Sequence, residues 1–265
     1  MGHLLYEVNN GVAYLTMNRP EVRNALSLDM RMQMLEAFQN LESDESVRCV
    51  VLRGAGEHFM AGGDIKSFME FAKLTPEQRR LTFVNRIHGG LNGLMYTMRR
   101  LNKPIIASVC GAAAGAGVSV ALSCDMIIAA DDSFFTLAYS HIASSPDGGA
   151  TYYLPRLVGT KKAMEIALLG DRFTAAEAKE LGMINRVVPP AEIEEETRKL
   201  AERLAQGPTK AYGSIKKLIL QSSENSLEQQ LQSEAETFGD TAMAEDWVEG
   251  VSAFNEKRKA RFTGR

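Results

Sequence analysis

Apolar residues recur along this chain at two different periods, and the switches between them mark out its elements. The stretch "LYEVNNGVAYLTM" alternates on either side of Asn9-Asn10-Gly11, the pattern of two strands joined by a tight turn. Residues 28–42 carry Met30, Met34, Phe38 and Leu41 at helical spacing, so this methionine stripe predicts a core-facing helix rather than a cofactor contact. "VRCVVLRG" is a short continuous apolar run, as a strand covered on both faces requires. "GEHFMAGGDIK" then reads as a glycine loop entering a helix, with Asp64 near its start.

Thr75-Pro76-Glu77-Gln78 combines a capping threonine, a proline at the first helical position and a glutamine at the third. It predicts a helix that runs on to Leu101 and is ended by Lys103-Pro104. "PIIASVCG" is a strand, "GAAAGAGVSVALS" a small-residue turn into a helix, and "DMIIAA" and "SFFTL" two further strands. Helical segments follow near 149–157 and 160–169, then a capping box at Thr174–Glu177 with Gly182 as its stop, and a last strand in "INRVVP". From Ala191 onward the pattern is helical throughout. Strands and helices alternating and then giving way to helices alone predict an α/β core over 1–190 and a helical region over 191–265.

Composition narrows the partners. The 265 residues are 45% hydrophobic and carry 30 basic against 33 acidic side chains, a net charge of −3. That length supports one large core, and the charge balance gives no reason to expect a nucleic-acid or membrane surface. The opening "MGHLLYEVNNGVAYL" has no signal-peptide pattern, and the longest apolar run is broken by glycines, serine and Asp125. Cys49, Cys110 and Cys124 show no metal spacing and His3, His58, His88 and His141 are scattered. Buried free thiols, a cytoplasmic setting and no metal site are therefore expected.

Three short stretches carry candidate chemistry. Ala61-Gly62-Gly63-Asp64 and Gly115-Ala116-Gly117 are small-residue turns between strand and helix. Neither is a dinucleotide or phosphate loop, and there is no nucleophile elbow. They serve either close packing of helix on strand, or the presentation of two backbone N–H donors that together form an oxyanion hole. In "ASSPDGGATYY" Asp147 stands between Pro146 and two glycines. It is either a turn and helix-cap residue or a lone acid/base.

With "NRPEVRNALS", "HFMAGGDIK", "GAAAGAGVSVALSCDMIIAA", "LLGDRFTAAEAKELGMINRVV" and "EGVSAFNEKRKARFTG" in that order, nearly the whole chain resembles the crotonase family of acyl-CoA enzymes. The resemblance implies a spiral of ββα units and a C-terminal helical region that builds a homotrimer or a dimer of trimers. It implies a coenzyme A thioester as substrate and no separate cofactor. The family's oxyanion donors fall on Gly63 and Ala116, where an alanine replaces the usual glycine. Contacts to CoA fall on Arg23, Ala25, Ala61 and the stretch Gly63, Asp64, Ile65, Lys66, with Phe254 and Lys257 in the C-terminal signature.

Hydratases of the family use two glutamates, and the matching positions here are Ser119 and Tyr139. Neither is a carboxylate, so water addition of the two-glutamate kind is not expected, and Tyr139 becomes a pocket-wall candidate with Phe134, Phe135 and Tyr152. Asp147 matches the aspartate that family isomerases use as proton shuttle, and "SSPDGGATYYLPRLVG" most resembles the phenylacetate-pathway isomerase branch. The resemblance thus implies an isomerase that shifts a double bond or rearranges a ring epoxide, with Asp147, Gly63 and Ala116 as the catalytic set. Two rival expectations are an enoyl-CoA hydratase and a non-catalytic CoA-ester binder, because a fold alone does not prove activity.

Overall fold

Asn10 and Gly11, at φ 51° and 76°, turn the chain between β1 (Leu4–Asn9) and β2 (Val12–Met17) in the computed structural model, which describes residues 2–265. Such a turn needs positive φ at both central positions, which asparagine and glycine tolerate best. Ser27 caps α1 (Leu28–Ser43) by accepting from the Met30 N–H, and Met30, Met34, Phe38 and Leu41 are buried as their spacing predicts. Next come β3 (Cys49–Gly54), α2 (Ile65–Phe71) and α3 (Pro76–Arg86). The Thr75/Gln78 capping box at the start of α3 is formed in both directions.

The predicted helix to Leu101 is continuous but not uniform. After Arg86 it passes through one π-helical turn, Ile87–Asn92, before resuming as α4 (Gly93–Arg100). The irregular turn contains Gly89 and Gly90, which hold a helix weakly, and Gly90 lies against a side chain of α1. Beyond it come β4 (Ile105–Val109), β5 (Ala112–Ala114), α5 (Ala116–Leu122), β6 (Met126–Ala130) and β7 (Phe134–Thr136). α6 (Ala150–Leu169) is two helices in one, broken at Gly159 with φ 75° and ψ 159°, which accounts for the two segments predicted there. β8 (Phe173–Thr174), α7 (Ala175–Glu180) and β9 (Arg186–Val188) complete the strands.

The strands form two sheets. The larger runs β1-β2-β3-β4-β6-β9 and is parallel except for the hairpin. The smaller runs β5-β7-β8 and is extended by single bridges that join Met60 to Ala113 and Leu26 to Gly63. Each core strand of the large sheet from β3 to β6 is thus followed by a short piece that joins the small one. This is the crotonase-like spiral of ββα units that the resemblance implies.

Alternation along β3 sends Val50 and Leu52 into the core between the layers. Cys49 and Val51 go to the other face, against Ile193, Leu200, Ala201 and Ala205. Those residues belong to α8 (Ile193–Ala205), which seals the outer face of the large sheet. α9 (Thr209–Ser222), α10 (Leu227–Ala242) and α11 (Glu245–Asn255) follow, and leave Ile219, Leu227, Phe238, Met243 and Phe254 exposed. The C-terminal tail folds back onto the body. Asp246 accepts from the Thr263 and Gly264 N–H groups at 2.6 and 2.8 Å, and Arg48 donates to the Phe262 carbonyl at 3.0 Å.

Candidate active site

The two small-residue turns converge. Gly62 and Gly115 touch: a Cβ built on Gly62 would lie 3.0 Å from the Ala114 carbonyl and 3.6 Å from Gly115 Cα. Both have positive φ, 90° and 51°, so conformation requires glycine at each, and at Gly62 space is tight as well. Close packing accounts for the third small residue, since a Cβ on Gly117 would collide with the Met60 carbonyl. Close packing, one of the two roles left open by the sequence, is thus the role of Gly117.

Gly63 and Ala116 follow the two touching glycines. The Leu26 N–H donates to the Gly62 carbonyl at 2.7 Å, and the Val118 N–H to the Gly115 carbonyl at 3.0 Å, while neither the Gly63 nor the Ala116 N–H donates to a protein acceptor in these turns. Ala116 is absent from the residues with left-handed backbone, so an alanine there keeps its N–H without strain. The ring of Phe68 covers Gly63, 3.2 Å from where a Cβ would be, and packs edge-on against Phe83 at 5.1 Å.

A buried asparagine holds the preceding turn. Asn24, at φ 56°, donates to the carbonyls of Ala55 and His58 at 2.9 and 2.6 Å and accepts from the Arg19 N–H. Arg19 in turn pairs with Asp64 at 3.1 Å and donates to the Ala25 carbonyl at 2.7 Å, while the Ala61 N–H donates to the Arg23 carbonyl at 2.9 Å. Arg23, Ala25, Ala61 and Asp64 are thus brought together beside Gly63, with Ile65 and Lys66 exposed on the first turn of α2. The Asp64 carboxylate is engaged by Arg19, so its part is to fasten the two loops.

Asp147 is not a helix cap. The N-cap of α6 is Gly149 and no side chain caps it. Its half-buried carboxylate instead accepts from the Tyr139 hydroxyl at 2.6 Å, and its main-chain carbonyl accepts from the Ser119 hydroxyl at 2.8 Å. Tyr139 is consequently more than a pocket wall. Its ring borders Gly115, 3.9 Å from where a Cβ would lie, so it links the carboxylate to the second glycine turn. The other three wall candidates face elsewhere. Phe135 stacks on Phe173 in the core, Arg172 covers Phe134, and Tyr152 bonds Arg99 and Glu224.

Burial is the largest influence on Asp147 and raises its carboxyl above the ordinary aspartate value, opposed by the Tyr139 hydrogen bond and by the charge of Arg31. Burial and the neighbouring anion push the Tyr139 phenol upward as well, so it stays protonated and donates. Arg31 and Asn24 were not singled out from the sequence. A signal existed for Arg31, which shares the apolar face of α1 with Met34 and Phe38.

Phe254 and Lys257 are not brought to this site by the fold of one chain. α11 packs on α10 and on a tail tied to Arg48 at the N-terminal end of β3, whereas the first glycine turn follows the C-terminal end of that strand. Phe254 is 84% exposed. A cleft lined by Arg48, Asp246, Arg258 and Phe262 lies at the same tail, where Arg258 pairs with Glu249. Cys49 and Cys124 are buried, and burial pushes the Cys49 thiol up to about 12. Among the described residues no group of three or more His, Cys, Asp or Glu gathers as a metal site, and no helix is long and apolar enough to cross a membrane.

The model of the enoyl-CoA hydratase/isomerase family matches residues 7–265. The chain is 37% identical over 265 residues to 1,2-epoxyphenylacetyl-CoA isomerase of Escherichia coli (strain K12), with 100% of each chain covered. It is 36% identical over 260 residues to a protein of Rhodobacter capsulatus described as a probable enoyl-CoA hydratase, covering 98% of this chain and 97% of that one. The crystal structure of an enoyl-CoA hydratase from Polaromonas sp. JS666 superposes with a TM-score of 0.93 at 34% identity, covering 98% of this chain and 100% of the other.

Proposed function

The chain belongs to the enoyl-CoA hydratase/isomerase (crotonase) family, and we propose that it is an acyl-CoA isomerase with one carboxylate as proton shuttle. The thioester carbonyl oxygen accepts from the N–H groups of Gly63 and Ala116, which stabilise the enolate oxygen as charge develops. Ionised Asp147 removes a proton from one carbon of the acyl chain and returns it two carbons away. The double bond moves, and no atom of water enters the product. A carboxyl held above its ordinary value by burial is a stronger base than free aspartate.

The observation that carries this reading is the use made of the two positions at which the resemblance would put hydratase glutamates. Ser119 and Tyr139 both bind Asp147, one at its carbonyl and one at its carboxylate. A second carboxylate for activating water is lacking there. Ring-epoxide rearrangement, the chemistry in the name of the E. coli relative, needs the same enolate stabilisation and is the second substrate class to try.

CoA would lie along Arg23, Ala25, Ala61 and the stretch from Gly63 to Lys66. Phe254 and Lys257 would act from a neighbouring copy in a homotrimer or dimer of trimers, for which the exposed apolar residues of α9 to α11 supply the surface. The reaction calls on no cofactor, since coenzyme A is part of the substrate.

Incubation with a 3-enoyl-CoA and, separately, a 2-enoyl-CoA in 18O-water, followed by mass, tests the reading. Migration of the double bond without oxygen uptake, lost in Asp147→Asn, is the expected result. Oxygen uptake from the 2-enoyl substrate that survives the substitution would make the protein a hydratase. Binding without turnover of any acyl-CoA would make it a binder.

A further inference from the structure

One buried charged group lies beside this site with no part in the chemistry so far. Arg31, on α1, is 8% exposed. Its Nη1 donates to the Arg86 carbonyl at 2.8 Å, at the entry to the π turn, and its Nε is buried without a partner. The guanidinium lies so close on Gly90 that a Cβ there would sit 2.5 Å from Cζ and 2.9 Å from Nη2. The next residue, Leu91, packs on the Asp147 loop, 3.5 Å from where a Cβ on Gly148 would be.

A buried guanidinium with an unsatisfied nitrogen is costly, and an apolar side chain of similar length would suit the buried face of a helix better. A second cation, Arg86, faces it and adds repulsion. Stability therefore does not explain Arg31. We propose that Arg31 is a positioning residue for the proton shuttle: it pins the π turn against the Asp147–Gly148 loop and holds a buried positive charge within electrostatic reach of the carboxylate.

The inference rests on Asp147 being the shuttle. The groups that act on Asp147 are the Tyr139 hydroxyl from the loop after β7, the Ser119 hydroxyl from α5 at the main chain, and Arg31 from α1. His88, on the same π turn, is exposed. Arg31 favours the ionised carboxylate, which is the form that removes the first proton.

The test is kcat and KM for 3-enoyl-CoA isomerisation against pH in Arg31→Met, Arg31→Lys and Gly90→Ala, with Asp147→Asn alongside. Arg31→Met should keep or raise thermal stability and leave KM within about twofold. Its kcat should fall about tenfold near pH 6 and about twofold near pH 9, as the loss of a nearby opposite charge requires. Arg31→Lys should recover most of the acid-side loss, and Gly90→Ala, whose Cβ displaces the guanidinium, should move the profile in the same direction as Arg31→Met. A native profile shape in both Arg31→Met and Gly90→Ala, whether activity is intact or uniformly reduced, overturns the inference. If Asp147→Asn is then inactive, the shuttle reading stands without Arg31; if it turns over normally, both fall.

Discussion

In the two glycine turns the proposed reactive groups are main-chain N–H donors, and conformation fixes them. Gly62 and Gly115 have positive φ, they touch, and Gly117 admits Met60 where no Cβ fits. In the Asp147 loop the proposed reactive group is a side chain held by Tyr139 from beyond β7, with Ser119 from α5 holding its main chain and the charge of Arg31 from α1 acting on it. The first arrangement cannot titrate and has no room for a Cβ at Gly117. The second titrates by design and tolerates exchange of its supports at graded cost. Oxyanion stabilisation should therefore survive changes of pH that the proton shuttle does not.

The largest expected effect breaks the shuttle alone. Asp147→Asn should reduce kcat about 10³-fold, the scale of a lost acid/base, and leave acyl-CoA affinity within a few fold by equilibrium binding. The same substitution should stabilise the protein. Burial raises the Asp147 carboxyl in the fold, so above its unfolded value the ionised, buried group costs stability, and the cost grows as pH rises through the folded value. A melting series should show the variant above wild type at neutral pH, with the gain gone in acid. Lower stability at neutral pH would mean that the Tyr139 hydrogen bond outweighs desolvation.

Next in size is loss of one donor. Ala116 is the first residue of α5, where proline is tolerated and simply lacks the N–H. Ala116→Pro should cost about 10²–10³ in kcat, with the pH profile unchanged in shape because nothing at Asp147 has been altered. A shifted profile would mean that the two regions are coupled rather than separate. Gly115→Ala, by contrast, should act on folding, by about 1–3 kcal/mol in denaturant titration, since alanine is forced to φ 51° and ψ −121°.

These two regions were unequally legible in the sequence. Glycines at forced conformations leave a local mark, and the helix stripe, the capping box at Thr75 and the hairpin at Asn10-Gly11 are local too. Convergence of the two turns was not legible, because it depends on Met60 and Ala113 bridging across 53 residues of chain, a pairing no local pattern encodes. Asp147 drew attention only through its neighbours in sequence, and its actual partners, Ser119 and Tyr139, stand 28 and 8 residues away. Burial of Phe135 in the core, the Arg172 cover on Phe134 and the outward engagement of Tyr152 reversed three aromatic assignments, since composition says that a ring is buried but not against what.

Smaller effects sharpen the contrast by testing the supports of Asp147 one at a time. Tyr139→Phe removes the hydroxyl that favours the ionised carboxylate, so the carboxyl rises further and the acid limb of kcat moves to higher pH. Near pH 6 the loss should be about tenfold and near pH 9 about threefold, read from the rate profile. An acid limb that moves to lower pH would mean that the phenol donates elsewhere when substrate is bound.

Ser119→Ala should do least. Its hydroxyl holds the Asp147 main-chain carbonyl at 2.8 Å and does not reach the carboxylate, so its loss changes where the loop sits rather than how the group titrates. The deleted bond is neutral, worth about 1 kcal/mol, and the Ala150 N–H still donates to the same carbonyl at 3.3 Å. A reduction in kcat of about two- to fivefold, uniform across pH, is the expected outcome in the same assay. If the loss instead grew toward low pH, Ser119 would be acting on the charge of the carboxylate through Tyr139, and the loop and its titrating group could no longer be treated as separately supported.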